Sequence, residues 1–135
     1  MIAKLSIERF KDKVRKITKR NRGVKLETVI LELNLLITGW VRYFKLASCK
    51  HALGRLDEWI RRKVRCYRFK QFKQGKTILN ELMLRGIPKA SARKVAYSGK
   101  GWWRLSITPQ VHRAMGVGWT KEIGLKSLLK IHTSL

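Results

Sequence analysis

Six cations fall within ten residues in the run Arg61-Arg62-Lys63-Val64-Arg65-Cys66-Tyr67-Arg68-Phe69-Lys70, and Lys73 extends it. Such a density repels itself unless something anionic sits on it, and guanidinium forks match phosphate oxygens bidentately. Interleaved aromatic rings can stack on unpaired bases, although Tyr67 also fits a core stripe. The competing reading is a solvated basic face. Lys16, Lys19, Arg20 and Arg22 form a second strip around a helix end and a turn, placed to reach a backbone phosphate. Trp102-Trp103-Arg104 is a third candidate. In an extended segment adjacent tryptophans cannot both point inward. One is expected in the core, and Trp103 with Arg104 is taken as the nucleic-acid-facing pair.

Catalytic chemistry has no comparable footing. The sequence holds no H-E-x-x-H, no phosphate-binding G-x-x-x-x-G-K-[ST], no G-x-S-x-G and no paired-Asp metal site. Asp57 and Glu58 are adjacent, so on a helix they diverge by about 100°. Their expected role is pairing with Arg61 and Arg62 one turn on. His51, His112 and His132 are too scattered for local zinc spacing. No catalytic residue, metal or cofactor is therefore assigned.

The 135 residues carry 32 Lys+Arg against 8 Asp+Glu, a formal charge of +24. That excess calls for a polyanion, nucleic acid before anionic membrane. No stretch approaches the roughly 18 apolar residues of a membrane span. Cys49 and Cys66 are not in a C-x-x-C pair, and the N-terminus lacks a signal-peptide core. A reducing, cytoplasmic setting is expected.

Hydrophobic spacing supplies the elements that must position these residues. Ile7, Phe10, Val14 and Ile17 predict a first helix over 6–18, stopped at Asn21-Arg22-Gly23. Leu26, Ile30, Leu33, Ile37, Trp40 and Phe44 predict a second over 26–44. Leu31, Leu35 and Leu36 widen its stripe nearly all round, which makes it the expected centre. Leu53, Leu56, Ile60, Val64 and Tyr67 form the core stripe of a third, with Gly75 as its end and Arg61, Arg65 and Arg68 along its flank. Shorter helices are expected over 77–85 and 89–97, then a loop over 98–103. Thr108-Pro109 reads as an N-cap and first helical residue, opening a helix toward Ile123 that Gly116 and Gly118 weaken and Gly124 ends. Residues 102–107 are the best strand candidate. Trp40, Trp59 and Trp119 fall in helical apolar patterns and are expected in the core.

Four stretches resemble one family. Thr18-Lys19-Arg20-Asn21-Arg22-Gly23 resembles a basic turn before a long helix, and residues 33–44 resemble the pattern L-N-x-x-L-x-G-W-x-x-Y-F. Leu56-Asp57-Glu58-Trp59-Ile60-Arg61-Arg62-Lys63, with the exit Lys70-Gln71-Phe72-Lys73, resembles an L-D-x-W-I-R-R helix, and Gly124-Leu125-Lys126-Ser127-Leu128 a closing G-L-x-S-L. Together they are similar to the maturase-specific domain of group II intron reverse transcriptases, also called the thumb or X domain. The resemblance implies a helical thumb that grips intron RNA and the template–primer duplex and assists intron folding, splicing and mobility. It suggests Asn34 as a polar core contact and Gly39 as a close helix approach. Departures accompany it. Nothing resembles the family polymerase's Tyr-Ala-Asp-Asp motif or an appended zinc-bearing endonuclease, so a detached thumb is expected. Lys25 stands where members often place a capping Ser, so the second helix should start weakly.

The expectation is an all-α helical bundle, with a three-helix core over 1–75 and a smaller C-terminal helical extension of the same domain over 76–135. Its expected function is non-catalytic binding of group II intron RNA, with template–primer duplex or target DNA as further partners and no membrane. Two rivals stand beside it. The chain could be part of an RNA-directed DNA polymerase, acting with a separate or missing finger-and-palm module, or a basic DNA-binding module.

Overall fold

A computed structural model describes residues 4–19, 22–42, 50–72, 75–99 and 101–134. The architecture is all-α, with no strand among the described residues. Three long helices come first: α1 (Lys4–Ile17), α2 (Leu26–Val41) and α3 (Lys50–Phe72). Six shorter ones follow: α4 (Gly75–Leu84), α5 (Lys89–Ala96), α6 (Trp102–Leu105), α7 (Pro109–Met115), α8 (Val117–Glu122) and α9 (Leu128–Ser134). None of them is long and apolar enough to cross a membrane. The expectations on Arg20, Asn21, Phe44, Cys49 and Lys73 lie outside the described residues.

α1 buries Phe10 and Val14 at the predicted spacing and packs on α2. Gly23 takes φ +70°, the left-handed conformation that the turn after α1 needs. Lys25 caps α2 with no side-chain hydrogen bond, so that start rests on backbone contacts alone.

The central helix is α3, not α2. α2 buries Leu26, Val29, Ile30, Leu33, Ile37 and Val41, but Leu31 and Leu35 are 62% and 69% exposed. The apolar stripe of α2 is thus narrower than the sequence suggests, because only α1 and α9 lie against it closely. α3 buries residues on most of its circumference and meets α4, α6 and α9. Trp119 is buried as expected, whereas Trp40 and Trp59 are only partly buried. Trp40 lies against Phe10, with ring centroids 5.7 Å apart. Gly39 is exposed and has open space where a Cβ would stand, so it marks no close helix approach.

Gly75 opens α4 rather than ending α3. A Cβ there would stand 2.7 Å from the Tyr97 ring and 2.9 Å from the Ala96 carbonyl oxygen, so its role is the close contact with the end of α5. The expected strand at 102–107 is instead α6 and its exit turn. Arg62 and Arg65 of α3 donate to the Trp103 and Ser106 carbonyls at the end of α6. Thr108 does precede Pro109 at the start of α7, with its hydroxyl donating back to the Leu105 carbonyl at 2.8 Å. The helix expected from there to Ile123 is split at Gly116 into α7 and α8. A Cβ on Gly116 would stand 2.4 Å from the His112 carbonyl oxygen.

The C-terminal segment returns to the long helices, and α9 packs on both α2 and α3. Asn34 receives the approach: its Nδ2 donates to the Gly124 carbonyl and its Oδ1 accepts the Lys126 N–H, each at 2.8 Å. Asn34 thus makes a polar contact, but at the exposed turn before α9 rather than in the core as suggested, with partners about 90 residues away along the chain.

Candidate nucleic-acid interface

α3 and its neighbours sort the predicted cations into two kinds: those that hold the fold and those turned outward. Arg65 belongs to the first. Its residue is 3% exposed, its Nε donates to the Ser106 carbonyl at 2.9 Å, and its Nη1 reaches the Met115 carbonyl at 3.4 Å. Arg65 is thus no surface cation, contrary to its place on the expected flank. The helix turns it into the junction of α3 with α6 and α7, where it satisfies carbonyls at helix ends. Burial, then the charges of Arg61 and Arg62, lowers its pKa to about 10.

Arg62 does similar work one turn away. Its Nε and Nη2 donate to the Trp103 carbonyl, at 3.1 and 2.7 Å, and Nε also reaches Ser106 Oγ at 3.1 Å. Its guanidinium lies 3.7 Å from the centroid of the Trp103 ring. Burial lowers its pKa from the ordinary arginine value. Trp103 itself is 38% exposed.

Arg22 also holds the fold. It bonds Glu32 through both terminal nitrogens, at 2.7 and 3.1 Å, and its Nη1 caps the Ile17 carbonyl at 2.7 Å. That ion pair raises the Arg22 pKa and lowers that of Glu32, the side-chain hydrogen bond being the main cause in both.

The remaining predicted cations are turned outward. Lys16, Lys19, Lys70 and Arg104 are exposed, and Arg61 is half-buried. Arg68 lies 4.7 Å over the Phe72 ring and bonds Gln71 Oε1 at 3.1 Å. Lys63 stands between two indoles, 5.5 Å from Trp59 and 5.1 Å from Trp103. Trp59 also carries Lys11 and Arg15 from α1, at 5.2 and 5.4 Å. The quadrupole of an indole attracts cations, so the two tryptophans act as plates that gather positive side chains from α1 and α3. The sequence pattern placed Trp59 in the core; the signal that it is a plate is the three cations gathered at its ring.

The carboxylates do not neutralise this face. Asp57 does not pair with Arg61. It is buried and accepts Ser127 Oγ at 2.6 Å and the N–H groups of Leu128 and Leu129 at 2.8 and 3.1 Å, capping α9. Among the described residues no ion pair reaches Arg55, Arg61, Arg62 or Arg65. No cluster of three or more His, Cys, Asp or Glu that could hold a metal occurs among them.

Arg61 stands between two cavities. One, about 650 Å³, has Ile60, Leu125 and Ile131 on its walls, with Lys121, Lys126 and Lys130 besides Arg61. The other, about 550 Å³, brings Arg55, Arg61, Arg62 and Arg65 to face His112. Sequence spacing missed Lys121, Lys126, Lys130 and His112, because they join the face only once α7 to α9 fold back, and Arg55, because it stands apart from the dense run on α3.

A family model described as the group II intron, maturase-specific domain matches residues 7–84. The chain belongs to that family. The match runs from α1 to the end of α4 and so includes Trp59, Arg61, Arg62, Lys63 and Arg68. No curated protein matches the sequence. The C-terminal helices outside the match bring Trp103 and His112 up to the basic residues of α3.

Proposed function

We propose that this chain binds group II intron RNA without itself catalysing a reaction, and thereby assists intron folding and splicing. The observation that carries the reading is the set of cations that α3 presents around the arginine-lined cleft and the aromatic rings beside it. Among the described residues no ion pair reaches Arg55, Arg61 or Arg68, while Lys63 stands by the Trp59 and Trp103 indoles and Arg68 over the Phe72 ring. Guanidinium and ammonium groups so displayed attract phosphate, and the half-exposed Trp103 offers a ring edge to an unpaired base. Lys16, Lys19, Lys70 and Arg104 extend the positive field. Arg20 and Lys73 are included in the proposed interface by their place in the sequence. Membership of the maturase-specific family supports intron RNA as the polyanion.

Template–primer gripping belongs to the same reading, with polymerase chemistry left to a finger-and-palm module. The deciding experiment compares the chain's affinity for structured group II intron RNA with that for duplex DNA of equal length at equal salt. Tighter binding of the intron RNA is expected. Equal or stronger DNA binding would replace this reading with that of a general DNA-binding module.

A further inference from the structure

The 550 Å³ cleft between α3, α7 and α8 concentrates more positive charge than the fold itself needs. Arg55, Arg61, Arg62 and Arg65 come from α3, and among the described residues the only acid lining the cleft is Glu58. Gly116 and Val117 close the α8 side and bring no charge. Buried charges are ordinarily paired, because desolvating an unpaired ion is costly. Arg65 is almost wholly buried and meets only carbonyl oxygens; its Nη2 bonds neither of them and keeps contact with solvent at the cleft. Nη1 of the half-buried Arg62 likewise bonds none of its neighbours' oxygens and lies open to solvent. His112 faces these groups from α7.

We propose that this cleft seats a phosphate group, held by Arg61 and Arg65 and faced by His112. The proposal rests on the RNA-binding reading and refines it to one subsite. A single phosphate supplies what the cleft lacks: an anion with several acceptor oxygens, matched to guanidinium donors arranged around it. The natural source is a phosphodiester of the bound RNA.

A proton linkage follows from the geometry. Burial, then Arg65 and Arg61, holds the His112 pKa below its ordinary value, with Arg62 acting in the same direction and Glu58 opposing them. A phosphate among these arginines cancels their field at the imidazole and favours the protonated ring. Binding therefore takes up a proton, and affinity rises as pH falls from the bound-state pKa to the free-state pKa. Each unit of separation between the two corresponds to about tenfold in affinity.

The test follows the His112 ring resonances of the full chain by NMR through a pH titration. It is run alone, with inorganic phosphate, and with a short RNA whose only phosphates are internal phosphodiesters. Both ligands should raise the His112 midpoint and lose most of the effect in Arg61→Gln, whose fold is checked by circular dichroism. A response to inorganic phosphate alone supports the seat and assigns it to a free or terminal phosphate. An unmoved His112 midpoint with both ligands overturns the proposal. Retained binding of intron RNA in that case would leave the functional reading standing. A His112 response to inorganic phosphate without any RNA binding would support the seat and overturn the functional reading.

Discussion

The Asp57 carboxylate accepts the backbone N–H of Leu128 at 2.8 Å, joining the middle of α3 to the start of α9 across 71 residues of sequence. The same carboxylate holds Leu129 N–H and the Ser127 hydroxyl. It thus does for α9 what a local N-cap does for an ordinary helix, from a different helix. Asp57→Ala should destabilise the chain by about 2 kcal/mol, the scale of a lost cap and of hydrogen bonds to a charged group. Urea unfolding measures this, and Asp57→Asn, which keeps one acceptor oxygen, should lose less.

Arg61 and Arg65 are one turn apart on α3 and should respond oppositely to the same change. Arg65→Gln strips donors from the Ser106 and Met115 carbonyls in a buried site and should cost about 2 kcal/mol. Arg61→Gln removes a half-exposed cation with no ion-pair partner among the described residues and should leave the melting temperature nearly unchanged. Comparing thermal unfolding of the two variants checks the assignment; equal losses would contradict it.

Salt should weaken RNA binding steeply. With Arg62 and Arg65 engaged by backbone carbonyls, Arg61, Lys63, Arg68 and Lys70 remain of the α3 cluster. Neutralising about four phosphates predicts a loss of roughly fifty- to a hundredfold in affinity between about 50 and about 200 mM salt. Fluorescence anisotropy over a salt series measures the slope, and Arg61→Gln should reduce it by about one phosphate equivalent.

The Arg22–Glu32 pair should make stability sensitive to acid. The hydrogen bond from Arg22 lowers the Glu32 pKa in the folded state. A depressed carboxyl contributes stability above its unfolded pKa, near 4.5, and loses it as pH falls through the folded value. The pair is partly exposed to solvent, so the effect is a few tenths of a kcal/mol to about 1 kcal/mol. Glu32→Gln should show that loss at neutral pH and converge with the parent in acid, as read from urea midpoints across pH.

Primer extension should be absent from the chain alone. Nucleotidyl transfer by two metal ions needs carboxylates free to bind them. Glu8 and Asp12 lie one turn apart on α1, but Arg15 engages both, at 3.9 and 2.8 Å. An extension assay with magnesium and nucleotides should yield no product. Product that disappears in Glu8→Gln or Asp12→Asn would overturn the non-catalytic reading.

The sequence alone determined the three long helices, because their apolar residues recur at helical spacing over enough turns to outweigh local alternatives. Phe10 and Val14, Leu33 and Ile37, Ile60 and Val64 all face inward as their spacing requires. The turn at Gly23, the Thr108-Pro109 start of α7 and the end of α8 at Gly124 were equally legible, since each rests on the conformational limits of one or two residues. The density of cations on α3 was visible too, but their division into structural and outward groups was not. Helix periodicity places Arg61 and Arg65 on one flank, yet α6 and α7 cover Arg65 with carbonyls from 41 and 50 residues downstream and leave Arg61 uncovered. The same long-range packing made α6 a helix where local propensity favoured a strand, and drew Asp57 from its expected arginines to the end of α9. Neighbours within a turn of helix could be read from spacing; partners brought together only by chain return depend on tertiary structure, and those partners decided which charges are buried and which remain to meet RNA.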